Sequence, residues 1–226
     1  MKEQNNNQEI INVVNKISED NINGLGNFIA ERLKKTLLRK YKKITGKKAT
    51  LYLKHNDFVI ELGDVFVKYK GINTKKGMVL DFLVIHKVKT SRGMIYAIKP
   101  NPDSLGVDGY VKALTCYTAH HFDQYALRMN LYDSIHEAIQ NRSLVIEHWC
   151  LNSDPYSVIS YSADNKNIYV PHKFGTSLAI NSEDKIILCK TFISNEMLRG
   201  RQITEVTKGL EYANDVNDLL AVKTKF

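Results

Sequence analysis

The 226-residue sequence lacks any apolar run close to the roughly 20 residues that a membrane-spanning helix needs. Its first eight residues, Met-Lys-Glu-Gln-Asn-Asn-Asn-Gln, also lack the apolar core of a secretion signal. Both absences predict a protein that stays inside the cell that makes it and has no membrane partner.

Cysteine is scarce as well. Cys116, Cys150 and Cys189 are an odd number, lie far apart and have apolar neighbours. This pattern excludes a disulfide framework and a Cys-x-x-Cys metal site, and it predicts three reduced, buried side chains.

The common cofactor motifs are missing too. The chain contains no Gly-x-x-x-x-Gly-Lys-Ser/Thr, no Gly-x-Gly-x-x-Gly, no His-Glu-x-x-His and no Gly-x-Ser-x-Gly. His120 and His121 are adjacent and therefore point in different directions from a helix, so they do not have the spacing of a zinc site. We expect no cofactor and no metal.

Positive charge, by contrast, is abundant and concentrated. Nine of the 32 basic residues lie between Arg32 and Lys48, where there is no acidic residue, and the rest of the chain is close to neutral. A compact positive patch attracts polyphosphate, because binding releases condensed counterions. The predicted nucleic-acid-binding residues are Arg32, Lys34, Lys35, Arg39, Lys42 and Lys43.

The same stretch has an apolar stripe at nearly regular i, i+4 steps, from Leu25 to Ile44, which predicts a basic amphipathic helix ending at Gly46. The alternative is that its charges form only a solvated face while the stripe packs on a sheet.

Turn residues and apolar runs predict the secondary structure of the rest of the first half. Residues 10–17 have helical spacing, whereas residues 49–99 consist of short runs rich in Val, Ile, Tyr and Phe separated by turn residues. The predicted strands are residues 50–54, 57–62, 65–69, 78–88 and 94–98. Their close spacing indicates an antiparallel meander.

The second half is predicted to begin with helices at residues 118–130 and 132–141. Further strands are predicted at residues 144–149, 157–161, 167–170, 174–180 and 185–193, followed by one or two helices between residues 195 and 220. The fold class is therefore α+β, with N-terminal helices and an antiparallel meander, then two helices followed by an antiparallel sheet.

The loop at residues 101–109 is the candidate boundary between a part at residues 1–100 and a part at residues 110–226, and one continuous domain is the alternative.

The first predicted helix of the second half carries the chemically suggestive residues. Thr118 is a good N-cap, and His121, Tyr125 and Arg128 follow at i, i+4 and i+7, hence on one face. A histidine near a helix N-terminus tends to have a lowered pKa and can act as a base, and an arginine fork can hold a phosphate. His120 lies in the neighbouring row. This face suits metal-independent RNA cleavage by the 2′-hydroxyl, although half-buried packing is the alternative for each residue.

A second polar cluster follows in the predicted sheet, at Pro171–Ser177 and Lys190–Ser194. It offers His172, Lys173, Thr176 and Ser177 around a glycine. In a regular strand Lys190 and Thr191 point to opposite faces, so only one of them could face a given cleft. An ordinary hairpin with solvent-facing side chains is the alternative.

The sequence His-His-Phe-Asp-Gln-Tyr-Ala-Leu-Arg on a helix, a second helix to residue 141 and a sheet ending in Leu-Cys-Lys-Thr-Phe resemble the barnase/RelE-like ribonuclease toxin superfamily over about residues 110–195. The resemblance places the helix histidine of that family on His120 or His121 and its helix arginine on Arg128. By position in the sheet, it also implies Lys173, Thr176 and Thr191 as later catalytic residues. Gln124 or Tyr125 occupies the position of the first arginine in the Thr-x-His-x-x-x-Arg-x-x-x-Arg pattern, so a copy that does not cleave RNA is an alternative.

This resemblance implies an RNA-binding, metal-independent ribonuclease-like protein of bacterial or phage origin, with RNA rather than DNA as its partner and an antitoxin as a second kind of partner. The implied location is the cytoplasm of a bacterial host, or the virion for a phage structural protein. The competing hypothesis, supported by the basic segment, is a non-catalytic nucleic-acid-binding or virion-associated protein.

Overall fold

The computed structural model describes residues 8–13, 58–74, 77–98, 114–152, 167–182, 186–208 and 211. Its centre is one eight-stranded sheet. The strands are β1 (Phe58–Leu62), β2 (Val65–Thr74), β3 (Gly77–Thr90), β4 (Gly93–Ile98), β5 (Leu114–Thr118), β6 (Asn167–His172), β7 (Gly175–Ser182) and β8 (Ile186–Ser194). Their spatial order is β1-β2-β3-β4-β5-β8-β7-β6.

Short turns set the order of the first four strands. The β1–β2 turn consists of two residues, Gly63 and Asp64, because Leu62 pairs with Val65. Gly63 has a φ of 56°, a left-handed conformation that glycine adopts without a steric cost. Each of β1–β4 is antiparallel to the next, so the predicted meander is confirmed for the described strands.

The second half of the sheet is connected differently. Strand β4 pairs with β5, and β5 pairs in parallel with β8, at Tyr117 opposite Cys189. Strands β8, β7 and β6 are antiparallel neighbours. Strands from both halves of the chain therefore belong to one sheet, while the candidate boundary at residues 101–109 lies outside the described residues.

Helices cover both faces of this sheet. The elements are α1 (residues 8–13), α2 (Ala119–Arg128), α3 (Ile135–Gln140), α4 (Arg142–Asn152), a 3-10 turn (Asn195–Met197) and α5 (residues 201–208). Alternate side chains of β4 show the two faces, because Tyr96 joins the core under α2–α4 whereas Ala97 joins the core under α1. Val206 of α5 packs with Ile193 in a third, smaller cluster.

The sheet curves around the α2–α4 layer. If it were flat, its edge strands β1 and β6 would lie seven strand spacings apart, roughly 34 Å. Helix α4 has 11 residues and is therefore only about 16 Å long, yet it contacts β1, and its Trp149 packs on His172 of β6 with 6.0 Å between ring centroids. The curvature brings residues of the second half into one aromatic core.

The fold class predicted from the sequence, α+β, is confirmed. Helices were predicted close to α1, α2, α3 and α5, and strands close to β1–β4 and β6–β8. Strands predicted at residues 50–54 and 157–161 lie outside the described residues. Strand β5 was not predicted.

The strand predicted at residues 144–149 is wrong, because these residues lie within α4. Val145, Ile146, Trp149 and Cys150 are buried, at the spacing of one helix face. Among the described residues, no helix has the length and apolarity needed to cross a membrane.

Candidate functional site

Helix α2 starts at the junction between β5 and β8. Thr118, the predicted N-cap, accepts a hydrogen bond from the backbone N–H of His121 at 3.1 Å and donates its hydroxyl to the carbonyl of Lys190 at 2.9 Å. The N-cap prediction is confirmed. One threonine thus fixes the first turn of α2 to β8 and directs His121 into the core.

His121 belongs to a buried three-residue network, which we call the imidazole bridge. Nε2 of His121 lies 2.8 Å from Oγ of Ser177, and Nε2 of His172 lies 2.6 Å from the same oxygen. Exposure of the three residues is 0% for His121, 0% for Ser177 and 8% for His172. The bridge joins α2 to β7 and β6 through a single hydroxyl.

The hydroxyl determines how protons are arranged in the bridge. If it donates its proton to one Nε2, it accepts an N–H from the other, so the two imidazoles carry their protons on different nitrogens. The remaining nitrogen of each ring, Nδ1, is buried and has no hydrogen-bond partner among the described residues. The network is therefore neutral, and the two Nδ1 atoms without partners lower its net contribution to stability.

Burial keeps both imidazoles neutral. It lowers the pKa of His172 to about 4 and holds the pKa of His121 well below its ordinary value, where the nearby His172, His120 and Arg128 lower it further. Aromatic rings surround the network: the centroid of Tyr117 lies 4.9 Å from that of His121, and the centroid of Trp149 lies 6.2 Å from it. Substrate cannot reach these nitrogens in this conformation.

Tyr125, which is buried, and His148, which is partly exposed, form a second pair. The hydroxyl of Tyr125 lies 3.0 Å from Nδ1 of His148, which α4 supplies. His148 is half-buried, and this burial lowers its pKa. Arg128, one turn further along α2, is also half-buried, and its Nη1 atom has no hydrogen-bond partner within the described ranges. A phenol, an imidazole and a guanidinium therefore occur on neighbouring turns of two packed helices.

The remaining predicted catalytic residues lie around this layer. His120 is exposed on the first turn of α2, and Lys173 is exposed in the β6–β7 turn, where its Nζ lies 4.9 Å above the ring of Phe174. Thr191 is half-buried on β8. Catalytic roles for these residues stay predictions.

A β-bulge at Lys190 makes β8 irregular. Ala179 pairs with Cys189 and Leu178 pairs with Thr191, so Lys190 has no partner on β7. Because of this extra residue, Cys189 and Phe192 both join the core under α2 although they are three residues apart. The bulge allows the Lys190 carbonyl to bind Thr118 while the Lys190 side chain stays exposed.

Asp123 has a structural partner. Its carboxylate accepts three hydrogen bonds, at 2.8 to 3.0 Å, from the guanidinium of Arg142 in α4. The carboxylate is nearly buried, with 9% of its side chain exposed. This bidentate ion pair links α2 to α4 beside the aromatic core.

The three cysteines are free and buried, as the sequence predicts. Burial raises the pKa of the Cys116 thiol to about 12 and raises those of Cys150 and Cys189 well above the ordinary value. Thiols of such high pKa are poor nucleophiles. In the part of the chain that the structure describes, no cluster of three or more His, Cys, Asp or Glu side chains is positioned to hold a metal ion.

The structure brings only some of the predicted site residues together. His121 and Tyr125 both point into the core from α2, but to different partners, Ser177 and His148. The six predicted nucleic-acid-binding residues between Arg32 and Lys43 lie outside the described residues. Sequence reasoning missed the roles of Ser177 and His148, because no local signal joins them to α2.

No protein-family model, curated protein or solved structure matches this chain. The resemblance to the barnase/RelE-like superfamily therefore remains a prediction from the quoted residues.

Proposed function

We propose that the protein binds nucleic acid through the basic segment at residues 32–48, and that RNA is the preferred partner. The observation that carries this proposal is the distribution of charge. The described residues contain 12 basic and 11 acidic side chains, so they account for almost none of the net charge of +8. A nearly neutral fold with a separate, strongly positive segment suits attachment to a polyphosphate backbone.

The sealed imidazole bridge favours a binding function over a catalytic one. A general base must come within hydrogen-bond reach of the proton that it removes. His121, one of the two histidines that the sequence offers for this role, has no exposed surface, and its Nε2 is occupied by Ser177. RNA as the preferred nucleic acid rests on the resemblance to ribonuclease toxins.

Salt-dependent binding tests the proposal. Binding of a labelled single-stranded RNA is followed by fluorescence anisotropy at several KCl concentrations, with DNA of the same sequence as comparison. The variant Lys34→Gln, Lys35→Gln, Lys42→Gln, Lys43→Gln loses four cations. We expect the slope of log K against log salt to become shallower by roughly 3, at about 0.7 per phosphate contact.

The matched control removes four exposed cations from the described fold, at Lys89, Lys190, Arg201 and Lys208. We expect this variant to keep the affinity and the salt slope of the parent. Equal weakening in both variants, or binding by the parent that does not depend on salt, would contradict the role of the basic segment.

A second candidate function, metal-independent RNA cleavage, is favoured by the Tyr125–His148 pair. The hydroxyl of Tyr125 lies 3.0 Å from Nδ1 of His148, and Arg128, with an unpartnered Nη1 atom among the described residues, lies one turn along α2. An imidazole and a cation can promote attack by a 2′-hydroxyl on its own phosphate. Tyr125 has no exposed surface, so its role in this candidate function is to orient His148. His120, on the first turn of α2, supplies a further, exposed imidazole.

The cleavage test is incubation with RNA in the presence of chelator. We expect His148→Ala or His120→Ala to abolish cleavage, whereas His136→Ala, which removes an exposed histidine of α3, should leave it unchanged. A parent protein without cleavage, or one whose cleavage survives both substitutions, excludes this candidate and leaves the binding proposal unaffected.

A further inference from the structure

The imidazole bridge fastens a hairpin at the edge of the described sheet. Strands β6 and β7 form this hairpin, and β6 is the last strand in the spatial order. Ser177 lies on β7 and His172 on β6, while His121 comes from α2. Release of the edge hairpin requires separation from β8, from α2 and α4 and from the 3-10 turn, while β1–β5 stay paired. It is therefore a smaller event than unfolding of the whole sheet.

The bridge works only while both imidazoles are neutral. Its hydroxyl has one proton, which needs an acceptor nitrogen on one ring, while the other ring supplies an N–H. Protonation of the acceptor ring turns both Nε2 atoms into donors, and the hydroxyl proton then has no acceptor in a site that excludes water. A buried cation and an unpaired hydroxyl are both costly.

Around the bridge, no described residue supplies a free negative charge that would compensate an added proton. On α2, His120 and Arg128 act on His121 and repel an imidazolium. Tyr117 of β5 and Cys189 of β8 are neutral, because burial raises the pKa of each. Trp149 of α4 is uncharged, and His148 of α4 carries no negative charge in either protonation state. Asp123, the acid on α2, is bound to Arg142. No carboxylate lowers the cost among the described residues.

We propose that the imidazole bridge is an acid-sensitive latch: uptake of a proton by either imidazole releases the β6–β7 hairpin from α2 and β8 before the rest of the sheet opens. The chemical trigger is the proton alone. The proposal does not depend on the nucleic-acid-binding function, because it concerns residues of the described fold.

The pH window follows from the burial of His172. The closed form holds this imidazole neutral down to about pH 4, whereas a released imidazole takes up its proton near its ordinary value of 6.5. Acid therefore favours the open form increasingly as pH falls from about 6.5 to about 4. Between pH 7 and pH 5, His172 alone increases the population of the open form roughly 20-fold, and His121 acts in the same direction.

Hydrogen exchange read by mass spectrometry tests the latch. Protection factors of amides in β6–β7 are compared with those in β3–β4 at pH 7 and at pH 5, after correction for intrinsic exchange rates. The chain has one tryptophan, Trp149, whose ring centroid lies 6.0 Å from that of His172, so its fluorescence reports on the bridge in the same samples. We expect β6–β7 to lose at least about 20-fold more protection than β3–β4, because His121 adds to the contribution of His172.

Two variants identify the titrating groups. His172→Gln keeps a polar side chain that can bind the hydroxyl but cannot take up the proton. We expect it to lose the contribution of His172, roughly 20-fold between pH 7 and pH 5, while the contribution of His121 stays. His136→Gln removes an exposed histidine and should behave as the parent. If the His172→Gln protein does not fold, the parent alone decides between local and global opening. Equal loss of protection in β6–β7 and β3–β4, or unchanged pH dependence in folded His172→Gln, overturns the proposal.

Discussion

Removal of the hydroxyl at the centre of the imidazole bridge tests directly whether its two buried hydrogen bonds stabilise the fold. Ser177→Ala deletes one buried oxygen and leaves two imidazole Nε2 atoms without their partner. Each buried, unsatisfied polar atom costs about 1–3 kcal/mol, and part of this cost is offset because the hydroxyl no longer has to be buried. We expect the free energy of unfolding to fall by about 3 kcal/mol.

Urea denaturation at pH 7.5, followed by Trp149 fluorescence, measures this loss, because the imidazoles are neutral there in both states. Midpoint and slope together give the change in stability, and a constant slope shows that both proteins unfold over the same surface. Since single domains have about 5–15 kcal/mol of stability, the variant should still fold. The control Ser91→Ala, in an exposed turn, should stay within about 0.5 kcal/mol of the parent.

A second substitution separates lost hydrogen bonds from lost packing. His172→Leu added to Ser177→Ala removes one of the two orphaned Nε2 atoms, together with the unpartnered Nδ1 of the same ring. It should recover part of the stability, because apolar replacement of both partners can be nearly neutral. A loss below about 0.5 kcal/mol in Ser177→Ala would refute the description of the bridge as a pair of buried hydrogen bonds that stabilises the fold.

Two further substitutions probe backbone packing and the helix layer. Gly175→Ala places a methyl group against the backbone of β8, so we expect a loss of about 3 kcal/mol in urea denaturation, against about 1 kcal/mol for Gly63→Ala, where space is open and only the positive φ opposes alanine. Asp123→Asn weakens the bidentate pair with Arg142 and should cost about 2 kcal/mol, whereas Asp133→Asn at an exposed site should cost little. Equal costs within either matched pair would contradict these contacts.

The antiparallel meander could be predicted because the apolar runs and turn residues that define it are close together along the chain. Strands β1–β4 are consecutive along the chain and adjacent in space, and their turns contain the expected residues, such as Gly63 with its positive φ. Strand β5 and the parallel pair that it forms with β8 could not be predicted in the same way. Leu114 and Ile186 are opposite each other although a long stretch of chain separates them, and no short-range pattern encodes that pairing.

A strand was wrongly predicted at residues 144–149 because the residue types found there occur in both strands and buried helices. Val145, Ile146 and Trp149 are β-branched or aromatic and favour strands on propensity alone. Their burial, with Cys150, on one side of an 11-residue helix shows that the helical period was the stronger signal. Leu144, exposed by 56%, lies off this buried face.

Because of the bulge at Lys190, the regular alternation of side chains along a strand does not predict which face each residue of β8 occupies. A regular β8 would place Lys190 and Thr191 on opposite faces, and the side chains after them would follow in strict alternation. The extra residue shifts Phe192 to the face of Cys189, beneath α2. The bulge carbonyl then anchors Thr118, so an irregularity in one strand fixes the start of the helix that carries His121.

For His121, the sequence predicts the correct direction of the pKa shift but not its main cause. The sequence predicts a lowered pKa because the residue lies at the positive end of a helix, and the pKa is indeed held well below its ordinary value. The main cause is burial, which depends on β7 and β6 reaching α2 through Ser177. A helix terminus alone would leave a neutral, accessible base, whereas burial gives a neutral imidazole that no substrate reaches. The same pKa shift therefore supports catalysis in the first case and a structural, proton-sensitive role in the second.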